Sequence, residues 1–398
     1  MTDTTDAAAR PRAEEFAPMS PVRPGPDAGP AVPEEGVGLC LSGGGFRAML
    51  FHVGVLTRLN LAGRLRTLNR ISSVSGGSIT AGMLGLRWNE LKFTGDVATN
   101  FDELVTEPLR AFAHLKVDLP AMATGALLPF VTISDRVVAK LNKHLYKEAT
   151  LQDLPGTPEF VINATNLESG VLMRFSKAYV ADYTVGRVLR PDVPLADAVA
   201  ASSAFPPLLS PFELDLSDAN WTTENGNVYT TPGYQSDILL SDGGVYDNLG
   251  IETVWKRYET VFISDAGGHL GADPEPGRDW ARGTLRVLHI LDSQVRSLRR
   301  SAVVSAFKNP NDPHKGFFIS TITDLSGWPK PAKRPYMTAD PAVTHGLATI
   351  STRLTGMPDD QQELLINWGF AAADAGLLAF IDKDLPAAPL PYPNRPLG

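Results

Sequence analysis

The sequence predicts an α/β fold, a mostly parallel sheet with helices packed on its faces. Two observations carry this. "VGLCLSGGG" followed by "FRAMLFHVGVLTRLN" reads as an apolar strand, a glycine turn and a helix with apolar residues at helical spacing. "RISSVSGG" followed by "SITAGMLGLRWNEL" repeats that arrangement at once. Consecutive strand-turn-helix units build a parallel sheet, and ligands gather at the carboxyl ends of such strands. A third observation, 43% hydrophobic residues in a chain of 398, provides for an ample core.

The first 36 residues are rich in Ala, Pro and acid groups and are expected to be a disordered tail without a Sec-type signal. Residues 37–398 then form the folded domain. Within it, 100–150 reads as helical, with "FDELVTEPLRAFAHL" and "SDRVVAKLNKHLY" on either side of the apolar stretch at 121–133, and is expected to form a cap or lid. "EFVINATNLESGVLMRFS" reads as two strands around a turn at Glu168 to Gly170, and "PLADAVAASSAFPPLLSPFEL" as a helix broken at Pro206 and Pro207. "DILLSDGG" and "ETVFISDAGG" are buried strands ending in glycines. A long helix is expected over about 278–305, and "DDQQELLINWGFAAADAGLLAFI" reads as an acid-capped, amphipathic C-terminal helix.

The longest apolar stretch, at 121–133, is too short to span a bilayer, so any membrane contact is expected to be peripheral. Net charge is −8, yet Arg282 to Arg334 holds ten basic residues against three aspartates, a local excess of seven that suits a solvated face or phosphate headgroups. The single cysteine, Cys40, excludes an internal disulfide and permits a reducing, cytoplasmic setting; export by a signal-less route stays open. No cluster has metal-ligand spacing, so neither metal nor cofactor is expected, and no nucleic-acid partner.

Three glycine turns follow strand-like runs: "SGGGFR" (42–47), "SVSGGS" (73–78) and "SDGGVYDN" (241–248). They are therefore expected on one edge of the sheet. The second is close to G-x-S-x-G, the turn that exposes a nucleophilic serine, with Ser73 where the first glycine belongs. Gly76 and Gly77 let a helix start directly beside Ser75, with its positive dipole end towards the hydroxyl. In the first turn, the N–H groups of Gly43, Gly44 and Gly45 are unobstructed by side chains and suit an anion, with Arg47 nearby; a phosphate-binding loop is the competing reading, although the spacing of neither nucleotide motif is present. A serine needs a base. Asp242 is the strongest candidate, with Asp265 as a rival carboxylate; His269 is the one histidine that lies in a turn after a strand and downstream of Asp242, which gives the Ser, Asp, His order of a triad.

Side by side, these turns resemble those of the patatin-like phospholipase family. The resemblance runs from about Val37 to about Gly250. "SGGGFRA" is similar to the family's oxyanion loop, "SVSGGS" to its serine elbow and "DGGVYDN" to its Asp-Gly-Gly motif; "ASSAFPPLLSPF" is similar to a region beside its active site. The resemblance implies a three-layer α/β/α sandwich. It also implies a Ser75 nucleophile with Asp242 as its only side-chain base, oxyanion donors at Gly43, Gly44 and Gly45, and Arg47 as the positive residue closing that loop. Gly77, Gly243, Gly244 and Asn248 would support the turns. The activity implied is hydrolysis of phospholipid or lysophospholipid acyl esters. An acyltransferase, a thioesterase or a neutral-lipid lipase would use the same dyad, and a catalytically silent lipid-binding scaffold is the reading from another class.

Overall fold

A computed structural model describes residues 32–117, 133–207, 209–223, 227–268 and 270–398. The chain opens with β1 (Glu34–Leu41), α1 (Gly45–Leu61), β2 (Arg70–Ser73) and α2 (Gly76–Arg87), the two strand-turn-helix units expected from the sequence. A small hairpin, β3 (Phe93–Thr94) and β4 (Val97–Ala98), and the helices α3 (Glu107–Ala113) and α4 (Ile133–Leu141) lead to β5 (Glu159–Asn166). Then come β6 (Leu172–Phe175), β7 (Tyr179–Asp182), β8 (Gly186–Leu189), α5 (Leu195–Ser202), β9 (Phe212–Asp215), β10 (Trp221–Thr222) and β11 (Asp237–Asp242). Two short helices, α6 (Gly244–Asp247) and α7 (Glu252–Trp255), precede β12 (Tyr258–Asp265), the long α8 (Trp280–Lys308), β13 (Lys315–Ser320), α9 (Pro341–Thr349) and α10 (Asp359–Phe380).

The strands form one mixed sheet in the order β10-β8-β7-β6-β5-β2-β1-β12-β13, with the strands from β5 to β13 parallel. Period-two alternation along these strands divides the core between the two faces. On β1, Leu39 and Leu41 join the large cluster packed under α1, α2 and α10, whereas Cys40 faces Val254, Trp255 and Val303 of α7 and α8. On β12, Phe262 goes with the first set and Val261 and Ile263 with the second. This is the α/β/α sandwich.

Among the described residues α10 is the helix long and apolar enough to cross a membrane, but it is buried against α1 and β13 and is a core helix. Its Asp374 lies fully buried between Arg58, at 2.7 Å, and Arg334, at 2.7 Å. The segment expected as a cap is part of the core where it is described: Phe101, Val105, Leu109, Phe112, Leu141 and Leu145 are all buried in the main cluster. Residues 118–132, nearly all of the apolar stretch, lie outside the described residues.

The basic segment is not a single face. Arg334 is drawn to Asp374, Arg299 to the buried Asp247 at 3.4 Å, and Arg296 towards Asp265 and Asp292 at 3.8 and 3.7 Å. Helix periodicity explains this: residues 292, 296, 299 and 303 share one side of α8, and that side packs on the molecule. Arg282 is exposed and paired with Asp279 at the start of α8, and Arg300 lies over the Phe318 ring of β13, 5.4 Å from its centroid.

Candidate active site

Serine 75 is the N-cap of α2, with φ 51° and ψ −121°. This conformation is costly for a residue with a Cβ and persists only where the surroundings enforce it. Here they do. The Ser75 N–H donates to Ser202 Oγ at 2.9 Å, and Ser202 Oγ lies 2.9 Å from Ser78 Oγ, which in turn donates to Ser73 Oγ at 3.0 Å. Ser73, the departure from G-x-S-x-G, is thus a hydrogen-bond partner inside the elbow. Gly76 is indispensable for a different reason: a Cβ there would meet the Gly45 carbonyl oxygen at 2.1 Å, because the serine turn and the glycine loop touch backbone to backbone.

The three glycines of that loop are not equivalent. The Gly43 N–H is already committed to the Asn248 carbonyl at 3.1 Å, which removes it as an oxyanion donor and corrects the expectation of three. The N–H groups of Gly44 and Gly45 have no acceptor among the described residues, and neither has that of Gly76, the first residue of α2. Gly44 and Gly45 have φ 142° and 60°, and a Cβ on Gly45 would lie 1.9 Å from the Thr352 carbonyl oxygen. Free amides beside a helix N-terminus suit a developing negative charge.

Arg47 does not reach into this space. It is buried, and its guanidinium donates to the Ala266 carbonyl at 3.0 and 3.1 Å, to Ala348 O at 3.1 Å and to Ile350 O. Burial, and then the charge of Arg296, lower its pKa to about 10. Its role in the structure is to fasten the start of α1 to the end of β12 and the end of α9. Beneath the same loop, His52 is buried between Ser264 Oγ at 2.9 Å and the Ser42 carbonyl at 3.0 Å; burial lowers its pKa to about 4, so it is neutral.

Asp242 arrives by a route that differs from the expected one. β11 runs antiparallel to β5, not parallel with β1 and β2. β2 and β11 occupy successive stretches of the same edge of β5: Ser73 lies opposite Ile162, and Asp242 opposite Ala164. The two carboxyl ends therefore meet head to head across Asn163, whose amide binds Ser73 O and Ser72 Oγ, each at 2.9 Å. The Asp242 backbone is held on both sides, its N–H by Ala204 O at 2.9 Å and its carbonyl by Thr165 Oγ1 at 2.8 Å.

The Asp242 carboxylate accepts a hydrogen bond from the Gly244 N–H, at 2.7 Å, and lies beside the Ser75 side chain. Burial pushes its pKa up to about 7; the Gly244 N–H and the neighbouring Ser75 side chain oppose that shift, and the charge of Asp292 on α8 adds to it. A buried carboxyl beside a serine and poised near neutrality is suited to general-base work.

The rivals are placed elsewhere. Asp265 accepts the Gly267 N–H at 2.8 Å and faces Arg296, with no hydrogen bond to Ser75. His269 lies outside the described residues. Among the described histidines none is hydrogen bonded to Ser75 or Asp242. Gly77 packs on the Leu41 and Ser42 carbonyls, Gly243 on the Asn163 carbonyl, and Gly244 beside the Asn248 side chain, so all four supporting residues lie in the two turns around Ser75 and Asp242. Ser202, Asn163 and Asp292 were not singled out from sequence. Ser202 lies in "ASSAFPP", a stretch whose resemblance marked the neighbourhood without marking the residue.

Fold and turn together define the chain's class: an α/β sandwich with a strained serine at the carboxyl edge of parallel strands, the arrangement of a serine-type acyl hydrolase. Residues 39–255 match the model of the patatin-like phospholipases, and the chain belongs to that family of lipid acyl hydrolases. Human GIVD cytosolic phospholipase A2 superposes with a TM-score of 0.48 at 14% identity, over 86% of this chain and 61% of that one. The present chain thus spans about three-fifths of that structure's length. VipD from Legionella pneumophila superposes with a TM-score of 0.36 at 16% identity, over 87% of this chain and 67% of that one. A search of the curated proteins gives no match.

Proposed function

We propose that this protein cleaves fatty-acyl esters of phospholipids or lysophospholipids through a Ser75-Asp242 dyad and an acyl-enzyme intermediate. The observation that carries this is the head-to-head meeting of the turns after β2 and β11, which sets the strained Ser75 beside the buried Asp242 carboxylate, whose burial pushes its pKa up to about 7. In the first half-reaction, Ser75 Oγ forms a bond to the acyl carbon as its proton passes to Asp242. The oxyanion is held by the free N–H groups of Gly44, Gly45 and Gly76. The ester C–O bond then breaks, and the leaving alcohol takes the proton from Asp242. In the second half-reaction Asp242 removes a proton from water, which attacks the acyl-enzyme; the fatty acid leaves and Ser75 Oγ recovers the proton.

The strained turn and the Ser202 bond hold Ser75 beside its base before substrate arrives, which is the positioning that covalent catalysis requires. The test is incubation with mixed membrane lipids and identification of the products, alongside labelling by a fluorophosphonate probe. Release of free fatty acid and labelling that is lost in Ser75→Ala are the expected results. A protein that neither labels nor releases fatty acid would be a silent scaffold, and transfer of acyl groups to an added alcohol in preference to water would make it an acyltransferase.

A further inference from the structure

One side of α8 is turned to the candidate site: His289, Asp292, Arg296 and Arg299 recur at three- and four-residue spacing, and three of them are pinned to the segments around Asp242. Arg299 donates to the Tyr246 carbonyl at 3.2 Å and faces Asp247 at 3.4 Å, gripping α6, which starts two residues after Asp242. Arg296 donates to the Gly268 carbonyl, just beyond the end of β12, and a Cβ on Gly267 would lie 1.5 Å from its Nη1. His289 stacks on Phe205 with ring centroids 6.0 Å apart, and the carbonyl of the residue before Phe205, Ala204, accepts the Asp242 N–H. Asp292 lies between these fastenings, one turn from His289 and one from Arg296. Its carboxylate faces Arg296 Nε at 3.7 Å.

We propose that Asp292 is a positioning residue for Asp242: α8, pinned on both sides of it, holds its carboxylate towards the Asp242 turn as a fixed negative charge that draws the Ser75 proton onto the base. The part played in proton transfer rests on the proposed dyad; the charge set near Asp242 does not. The Asp242 carboxylate accepts the uncharged Gly244 N–H at 2.7 Å and lies beside the Ser75 side chain, and the charge that acts on it is that of Asp292. A negative neighbour favours the protonated form of a carboxyl, the form Asp242 takes once Ser75 has given up its proton. Asp292 has its own opposing neighbours. Burial raises its pKa, Arg296 opposes that rise, the charge of Asp265 at the end of β12 adds to it, and His289 opposes it. Arg296 is therefore the main group that keeps Asp292 ionised, and it is itself fixed, with Asp265 3.8 Å away on its other side. Two carboxylates close together repel, and three separate fastenings of α8 maintain that arrangement here.

The test uses the full chain and reads Asp242 in two ways. The first needs no turnover. The difference in melting temperature between the wild type and Asp242→Asn, followed from pH 4 to 9, grows with pH and levels off where Asp242 ionises in the folded protein. Measured again with Asp292→Asn in both proteins, it should level off at a lower pH and at a smaller final value. The side chain of Asp292 is 33% exposed, so the asparagine variant should fold. The second readout is the pH profile of kcat/KM on a soluble p-nitrophenyl ester. At pH 6, Asp292→Asn should keep at least about twice the share of its own plateau that the wild type keeps, with the plateau itself about two- to tenfold lower. Loss of a merely structural contact would lower the plateau without moving the limb. Asp292→Glu, which keeps the charge, should restore the wild-type limb. A melting difference that levels off at the same pH with and without Asp292→Asn would overturn the proposal, and so would a limb that Asp292→Glu moves as far as Asp292→Asn does. A kinetic limb that survives in Asp242→Asn, or a protein that hydrolyses no ester, would instead sink the proposed dyad, and the melting series would still decide whether Asp292 acts on Asp242.

Discussion

Ser75 and Asp242 are brought side by side, although the strands that lead to them run in opposite directions along the same edge of β5. In the proposed mechanism neither group acts alone: the serine needs the carboxylate as its proton acceptor, and the carboxylate has nothing to activate without the serine. Ser75→Ala and Asp242→Asn are each expected to lower kcat for p-nitrophenyl acyl esters by about 10⁴-fold or more, with the double variant no worse than either single one, because residues that act as a unit are not additive. Full activity in either single variant would remove the dyad.

The position of Asp242 also fixes a pH dependence. Its basic form is needed, and its pKa stands near 7, so kcat/KM should rise about tenfold per pH unit below 7 and level off above. Stability runs the other way. The folded-state pKa lies above the ordinary value of 3.8, so the folded protein favours the neutral carboxyl: that contribution is complete below 3.8 and is lost as pH rises through 7. Asp242→Asn should therefore raise the melting temperature at pH 8 relative to the wild type, and much less at pH 5. A thermal melt at both values checks the sign.

Ser202 is the residue on which the elbow's geometry depends, since its Oγ accepts the N–H of the strained Ser75. Ser202→Ala leaves that buried N–H without its partner, a loss of about 1–3 kcal/mol. The strain is then less well opposed, so kcat should fall by about 10- to 100-fold while KM changes little. Steady-state kinetics on a soluble ester separates the two constants. An unchanged kcat would show that the turn is held by the glycine contacts alone.

How much of this was legible in the sequence depends on how far apart the partners lie. The strand-turn-helix units, the glycine loop and the serine turn are local, so period and composition showed them. β11 read correctly as a strand ending at Asp242, but its antiparallel direction is set by the pairing with β5 and β9, which no local pattern records. The bond from Ser75 to Ser202 joins residues 127 apart in sequence, and the Gly43 N–H is committed to Asn248, further along the chain still. The positive excess in 282–334 was visible as a sum, but helix period sends Arg296 and Arg299 inward to carboxylates and leaves Arg282 outside.

Arg47 provides the sharpest separation of charge from geometry. If its contribution were positive charge alone, lysine would replace it, since both are cationic at pH 8. The structure instead has one planar guanidinium serving three carbonyls, two of its N–H groups sharing Ala266 O and others reaching Ala348 and Ile350. A lysine ammonium cannot reproduce that fork. Arg47→Lys should therefore leave at least one buried carbonyl unsatisfied and destabilise the fold by about 1–3 kcal/mol. Because the same guanidinium lies against Gly44, a Cβ on which would sit 3.3 Å from its Nη2, the loop that presents the Gly44 and Gly45 amides should loosen with it. The expected signature is a lower melting temperature together with a fall in kcat that persists well below that temperature, where the fold is intact. A variant that melts early yet turns over at the wild-type rate in the cold would confine Arg47 to stability and detach it from the oxyanion loop.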